Sequence, residues 1–106
     1  MIDIEKIKPK IIKALLPLNP EKIIIFGSFA YGTPTENSDL DICVVQKNYE
    51  NRWKEKSKIR ELLRDIRISK DILNPRVDEF EFYKNEINSV YYDADKRGIL
   101  LWQKSF

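Results

Sequence analysis

The chain has 106 residues, 42% hydrophobic and 34% charged, with a formal net charge of +2; this suits one small globular domain, and the charge alone indicates neither a nucleic-acid nor a membrane surface. It contains no histidine, which excludes Ser-His-Asp triads, histidine general bases and histidine-ligated zinc. With a single cysteine, Cys43, it cannot form an internal disulfide, and a reducing, cytoplasmic setting is expected.

No apolar run approaches the ~20 residues that span a bilayer, and the N-terminus turns charged within three residues, unlike a signal peptide. From Asp3 to Leu16 the apolar residues Ile4, Ile7, Ile11 and Leu15 repeat at helical spacing. Asp3 is a candidate cap, and Pro9 either kinks the helix or marks a later start. Pro17 and Pro20 end it. Lys22 to Phe26 reads as a strand whose unbroken apolar character suits burial on both faces. Gly27-Ser28 then gives a sharp turn, Phe29–Tyr31 a single helical turn, and Gly32 its end. The polar loop Thr33–Ser38 leads to Asp39 and a second strand, Leu40–Val45, in which Cys43 reads as a packed thiol.

The stretch from Gly27 to Asp41 carries the chemistry. Alternate strand residues share a face, so Asp39 and Asp41 point together while Leu40 and Ile42 enter a core. Two neighbouring carboxylates repel unless a cation lies between them, and Mg2+ is commonly held by one or two carboxylates plus substrate phosphates. A bare D-x-D also fits a solvated strand end. The Gly-Ser turn adds backbone amides able to receive an anion, strengthened where a short helix begins. The combination is more specific than either half.

Further on, Tyr49–Ile68 reads as a long helix with Ile59, Leu62, Leu63 and Ile66 inward and a charged outer face. Ser69–Pro75 reads as a connector. Arg76–Phe82, R-V-D-E-F-E-F, alternates like a third strand, with Asp78, Phe80 and Phe82 sharing a face. Asp78 on that face suits either an open strand edge or a metal ligand. Lys84–Arg97 reads as a last helix with Ile87, Val90, Tyr91 and Ala94 inward and Gly98 as its C-terminal cap. Ile99–Trp102 suits a closing strand.

Gly27-Ser28, ten intervening residues and Asp39-Leu40-Asp41, in the form G-S-F-A-Y-G-x5-S-D-L-D, resemble the signature of the DNA polymerase β-like nucleotidyltransferase superfamily. The length resembles its minimal nucleotidyltransferases, the MNT family, whose members are often antitoxins paired with HEPN toxins. The resemblance implies an α/β (α+β) nucleotidyltransferase fold, a small mixed sheet flanked by helices, as a single minimal domain over residues 1–106. It implies two Mg2+ ions held by Asp39, Asp41 and a third carboxylate from a later strand. Asp78 takes that place here, ahead of Glu79, Glu81 and Asp71. Gly27 and Ser28 would hold the phosphates of ATP.

The activity so implied is transfer of AMP from ATP to a tyrosine hydroxyl of a partner HEPN toxin, with no direct nucleic-acid or membrane binding. A larger acceptor domain has no room in a chain of this length. Two other readings follow from the same residues: an antitoxin acting by binding alone, and a small-molecule adenylyltransferase of the aminoglycoside type. One departure stands out: many relatives carry arginine at the positions of Phe29 or Tyr31, and both are aromatic here. Tyr49, Trp53, Tyr92, Trp102 and Phe106 are candidate interface aromatics.

Overall fold

The computed structural model describes residues 3–105, so Phe106 lies outside the described residues. Helix α1 (Ile4–Leu15) is capped by Asp3, whose carboxylate accepts the Glu5 amide. It runs through Pro9, which is exposed and lacks the amide that would bond the Glu5 carbonyl. A 3-10 turn, Leu16–Leu18, ends at Asn19 in the left-handed region. Strand β1 (Lys22–Phe26) follows, then the one-turn helix α2 (Ser28–Tyr31) and strand β2 (Leu40–Val45). Helix α3 (Arg52–Leu62), strand β3 (Lys70–Leu73), helices α4 (Val77–Tyr83) and α5 (Val90–Arg97) and strand β4 (Ile99–Gln103) complete the order.

The four strands form one mixed sheet in the order β3-β2-β1-β4. β1 pairs antiparallel with β2 and β4, and β2 pairs parallel with β3. Alternation splits the core in two. Ile23, Ile25, Leu40, Ile42, Val44 and Ile72 pack with Ile7, Ile11 and Leu15 of α1 and with Ile59 of α3. Ile24, Phe26, Cys43 and Val45 face the other way, against Phe80 of α4 and Ala94 of α5. The expected burial of β1 on both faces, the fold class and the closing strand are all seen.

Three sequence expectations are corrected. Arg76–Phe82 is not a strand: Val77–Tyr83 is helical, with Phe80 fully buried and Phe82 69% exposed. The period-two pattern of charge and aromatic residues concealed a helix with one deeply buried anchor. The third strand is instead Lys70–Leu73, within the expected connector. It is short and lies at the sheet edge, and pairing with β2 rather than a long apolar run holds it there. The two long helices are also shorter than expected. α3 is capped by Asn51 and ends at Leu62, and α5 starts only after Ser89, which caps it. Ile87 and Val90, expected inward, are exposed.

Gly98 does follow α5, and its amide bonds the Ala94 carbonyl, but its backbone is extended rather than left-handed. Its function is close packing. A Cβ there would lie 2.3 Å from the Ala94 oxygen and 2.9 Å from the Ile25 oxygen, so α5 turns into β4 tightly against β1.

Candidate active site

The end of β1 and the start of β2 are neighbours, with Phe26 paired to Asp41. Gly27 follows at φ 74°, a conformation that glycine adopts without penalty. The position also has no room for a side chain: a Cβ would lie 2.0 Å from Asp41 Oδ2. The Gly27 carbonyl accepts the amides of Ala30 and Tyr31, at 3.0 and 3.1 Å, and so closes the single turn of α2. Gly32, left-handed, ends that turn. The loop beyond is pinned by Ser38, whose Oγ accepts the Thr35 amide at 2.8 Å.

Asp41 is half-buried on the sheet face that also carries Cys43 and Val45. Asp39 lies one residue before β2, close enough for its charge to act on Asp41. The register adds a third acid. Asp41 lies directly opposite Asp71 on β3, and Ile42 opposite Ile72. Neighbouring strands are ~4.8 Å apart, so the two carboxylates stand on adjacent strands facing the same way. Burial first, then Asp71 and Asp39, push the Asp41 carboxyl from its ordinary 3.8 up to about 6.

Asp78, expected as the third carboxylate, is elsewhere. It lies on α4, accepts the Glu79 amide, and lines an open cleft with Arg52, Arg76, Glu79, Phe82 and Tyr83. α4 joins the opposite end of β2, where the Val77 amide bonds the Gln46 carbonyl. Five residues of strand, roughly 16 Å, separate Asp41 from Gln46. Glu79, one of the weaker substitutes, pairs with Arg52 at 2.5 Å, and Glu81 pairs with Lys84. Asp71 is the weakest of the four candidates by sequence because K-D-I-L is too short to stand out from a connector. The usable signal was its echo of β2: Asp-Ile followed by an apolar residue, ending at Asn74-Pro75.

The residues fit a hard cation. Asp41 and Asp71 on one sheet face, with Asp39 just ahead of β2, supply oxygen donors, and the repulsion felt at Asp41 would be relieved by a positive ion. Among the described residues no three such groups converge closely enough to form a complete protein cage. Mg2+ needs none where substrate phosphates fill the remaining positions.

The two aromatic departures have different fates. Phe29 is buried in the core beneath β1. Tyr31 is half-buried, and its hydroxyl donates to Asp93 Oδ2 at 2.9 Å. The guanidinium of Arg97 lies 4.0 Å over its ring. Among the candidate interface aromatics, Tyr49 is buried and its hydroxyl donates to the Asn74 carbonyl. Trp102 packs on the core, Tyr92 is half-buried, and Trp53 is 80% exposed.

A sequence model of the nucleotidyltransferase domain matches residues 5–101. The chain belongs to the nucleotidyltransferase domain family. Two Methanocaldococcus jannaschii proteins that carry the provisional name of protein adenylyltransferase are similar to it. One is 31% identical over 93 residues, covering 88% of this chain and 89% of that protein. The other is 48% identical over 44 residues, 42% of this chain and 28% of that longer protein.

Among solved structures, a toxin–antitoxin complex with AMP-PNP matches with a TM-score of 0.67 at 24% identity, over 92% of this chain and 73% of that one. A tri-AMPylated HEPN toxin of Shewanella oneidensis with its MNT antitoxin matches with a TM-score of 0.61 at 19% identity, over 94% and 72%. A Sulfolobus solfataricus protein provisionally named a nucleotidyltransferase matches with a TM-score of 0.59 at 21% identity, over 94% and 79%. At these identities the likeness is one of fold, and it extends to this nucleotidyltransferase the mixed sheet and flanking helices of those chains. Among the described residues no helix is long and apolar enough to cross a membrane.

Proposed function

We propose that this nucleotidyltransferase moves AMP from ATP to a tyrosine hydroxyl of a partner HEPN toxin, with Mg2+, and thereby neutralises the toxin in the cytoplasm. The observation that carries the proposal is the convergence of Gly27, Asp41 and Asp71 at one end of the sheet, with Asp39 leading into the same strand. The partner and its AMPylation are taken from the toxin of the Shewanella complex, and the tyrosine acceptor from the family resemblance. The single domain over residues 1–106 is part of the same proposal.

In this reading Asp39 and Asp41 would hold Mg2+ on the triphosphate, and Asp71 would take the third place that the family resemblance implied for Asp78. Bound there, the ions would neutralise charge on the attacking and leaving oxygens. The Ser28 amide and hydroxyl, at the start of α2, would orient the phosphates, and Gly27 lets them approach the backbone. The acceptor oxygen forms a bond to the α-phosphorus as the bond from that phosphorus to the bridging oxygen breaks. Pyrophosphate leaves with the electron pair, and the hydroxyl proton passes through Asp71 to solvent. Most of the chemistry is positioning and charge neutralisation, which requires no histidine.

The test uses ATP labelled at the α-phosphate, Mg2+ and lysate of the native host, with wild-type protein or the Asp39→Asn variant. The expected result is a labelled protein band that depends on Asp39 and carries AMP on tyrosine by mass analysis. A partner captured equally by both forms, with no label transferred, would overturn catalysis and leave neutralisation by binding alone. Label on an added aminoglycoside without any partner would point to the small-molecule reaction.

A further inference from the structure

We infer that Arg97, at the last turn of α5, is a phosphate-binding residue of the nucleotide site, held in place by Tyr31 and Asp93. The inference rests on the nucleotidyl-transfer reading above and deepens it. A triphosphate entering this site meets Asp41 and Asp71 on one sheet face and Asp39 just ahead of β2. Each is anionic when ionised, and a metal ion offsets only part of that field. A fixed cation beside the phosphate turn is therefore expected on charge grounds, and α2 supplies none: it holds Ser28, Phe29, Ala30 and Tyr31.

The fold brings a guanidinium to that place from far along the chain. α5 covers the sheet face on which Asp41 lies, through Ala94 packed with Phe26 and Cys43. Its end is fixed against β1, since Gly98 sits hard on Ile24 and Ile25, just before Gly27. Arg97 precedes Gly98 and reaches over Tyr31, whose amide bonds the Gly27 carbonyl at 3.1 Å. The residue thus brackets the turn, anchored on its β1 side and extended across its α2 side.

The mount is specific. The central carbon of the Arg97 guanidinium lies 4.0 Å from the centre of the Tyr31 ring, a cation–π contact that holds the group against the ring. Asp93, one helical turn earlier, accepts the Tyr31 hydroxyl at 2.9 Å and lies 3.9 Å from Arg97 Nη1. At that distance Asp93 aligns the guanidinium without satisfying it. Most of its five N–H donors stay available, and the side chain is 59% exposed. A guanidinium held on a ring with most of its donors unsatisfied is suited to bidentate contact with phosphate oxygens. An arginine at a helix C-terminus is unremarkable by itself; the aromatic shelf beside the Gly-Ser turn distinguishes this one.

The experiment is calorimetric titration of Mg-AMP-PNP, and separately of adenosine, into wild-type protein, Arg97→Gln, Arg97→Lys and Tyr31→Leu. Arg97→Gln is expected to weaken Mg-AMP-PNP binding about ten-fold or more, the range for losing a charged hydrogen bond, while adenosine binding and Tm hold. Arg97→Lys should restore part of the loss, and Tyr31→Leu should weaken binding by less than Arg97→Gln because it removes the shelf and keeps the charge. Equal Mg-AMP-PNP affinity for wild type and Arg97→Gln would overturn the assignment while leaving the nucleotide reading intact. Equal losses for Mg-AMP-PNP and adenosine would also overturn it, in favour of a structural role. Wild-type protein that fails to bind Mg-AMP-PNP would overturn the nucleotide reading and Arg97 with it.

Discussion

Replacing Asp71 with asparagine is expected to lower AMP transfer about 100- to 1000-fold, the scale for removing one group that stabilises transition-state charge. Replacing Asp78 is expected to leave the rate within about two-fold, as for a surface change away from the site. The two residues are seven apart in sequence, but Asp71 lies opposite Asp41 across a parallel pair and Asp78 sits on α4 at the far end of β2. Single-turnover rates for the two variants decide between them, and the reverse order would return the third place to Asp78. Asp41 makes a second prediction through stability. Its folded carboxyl titrates at about 6 against an ordinary 3.8, through burial, then Asp71, then Asp39. The folded state therefore holds the proton more tightly than the unfolded chain. The contribution of Asp41 to stability is fully present below about pH 4, is lost as pH rises through about 6, and stays absent above that. Asp41→Asn, neutral at every pH, should raise Tm above pH 6 in metal-free buffer, and the gain should vanish near pH 4. A Tm difference that does not change with pH would show that Asp41 carries no such strain.

Among the elements, α4 offers the cleanest contrast. Phe80 is fully buried and Phe82 is 69% exposed. In a helix two residues apart face different directions, whereas in a strand they would share a face. Phe80→Ala is expected to cost about 3–5 kcal/mol in denaturant unfolding, and Phe82→Ala less than about 0.5 kcal/mol. Similar costs for both would mean the segment is a strand after all. This element also marks where the sequence was legible. β1, the Gly-Ser turn, α2 and β2 could be read in order because each has a local cause: an apolar run, glycines at two left-handed positions, and acids at a strand start. Asp39, Asp41, Gly27 and Ser28 sit on those elements, so their placement followed. β3 and α4 had no such local cause. Four residues at a parallel edge are held by pairing with β2, and a seven-residue helix with one buried anchor carries a strand-like alternation. Parallel pairing joins residues 30 positions apart, as Asp41 and Asp71 are, and no local pattern encodes it. The same holds for Arg97 on Tyr31, a contact that exists only once α5 has packed on the sheet.

At the scale of the whole molecule, Cys43 reports on the fold as one body. It lies in β2, inside the sheet, between Ile24 of β1 and Leu73 of β3. It is fully buried, and burial pushes its thiol up to about 12. Reaction with a thiol reagent at pH 8 therefore requires an opening that exposes β2, which would strip both core layers from the sheet at once. Labelling should follow the population of the globally unfolded chain, with the same denaturant dependence as equilibrium unfolding. Ligand binding enters the same measurement. A ligand that binds only the folded chain stabilises it by about 2.7 kcal/mol at 100 times its Kd, about 100-fold in the open population. Mg-AMP-PNP at that concentration should slow Cys43 labelling by about the same factor, provided opening and closing are fast relative to the chemistry. The protection should fall in Arg97→Gln at fixed ligand concentration, in proportion to its weaker affinity. Labelling that ignores denaturant would instead reveal local release of β3 from β2. That release would separate Asp71 from Asp41, so in that case the labelling rate would measure how often the carboxylate cluster comes apart.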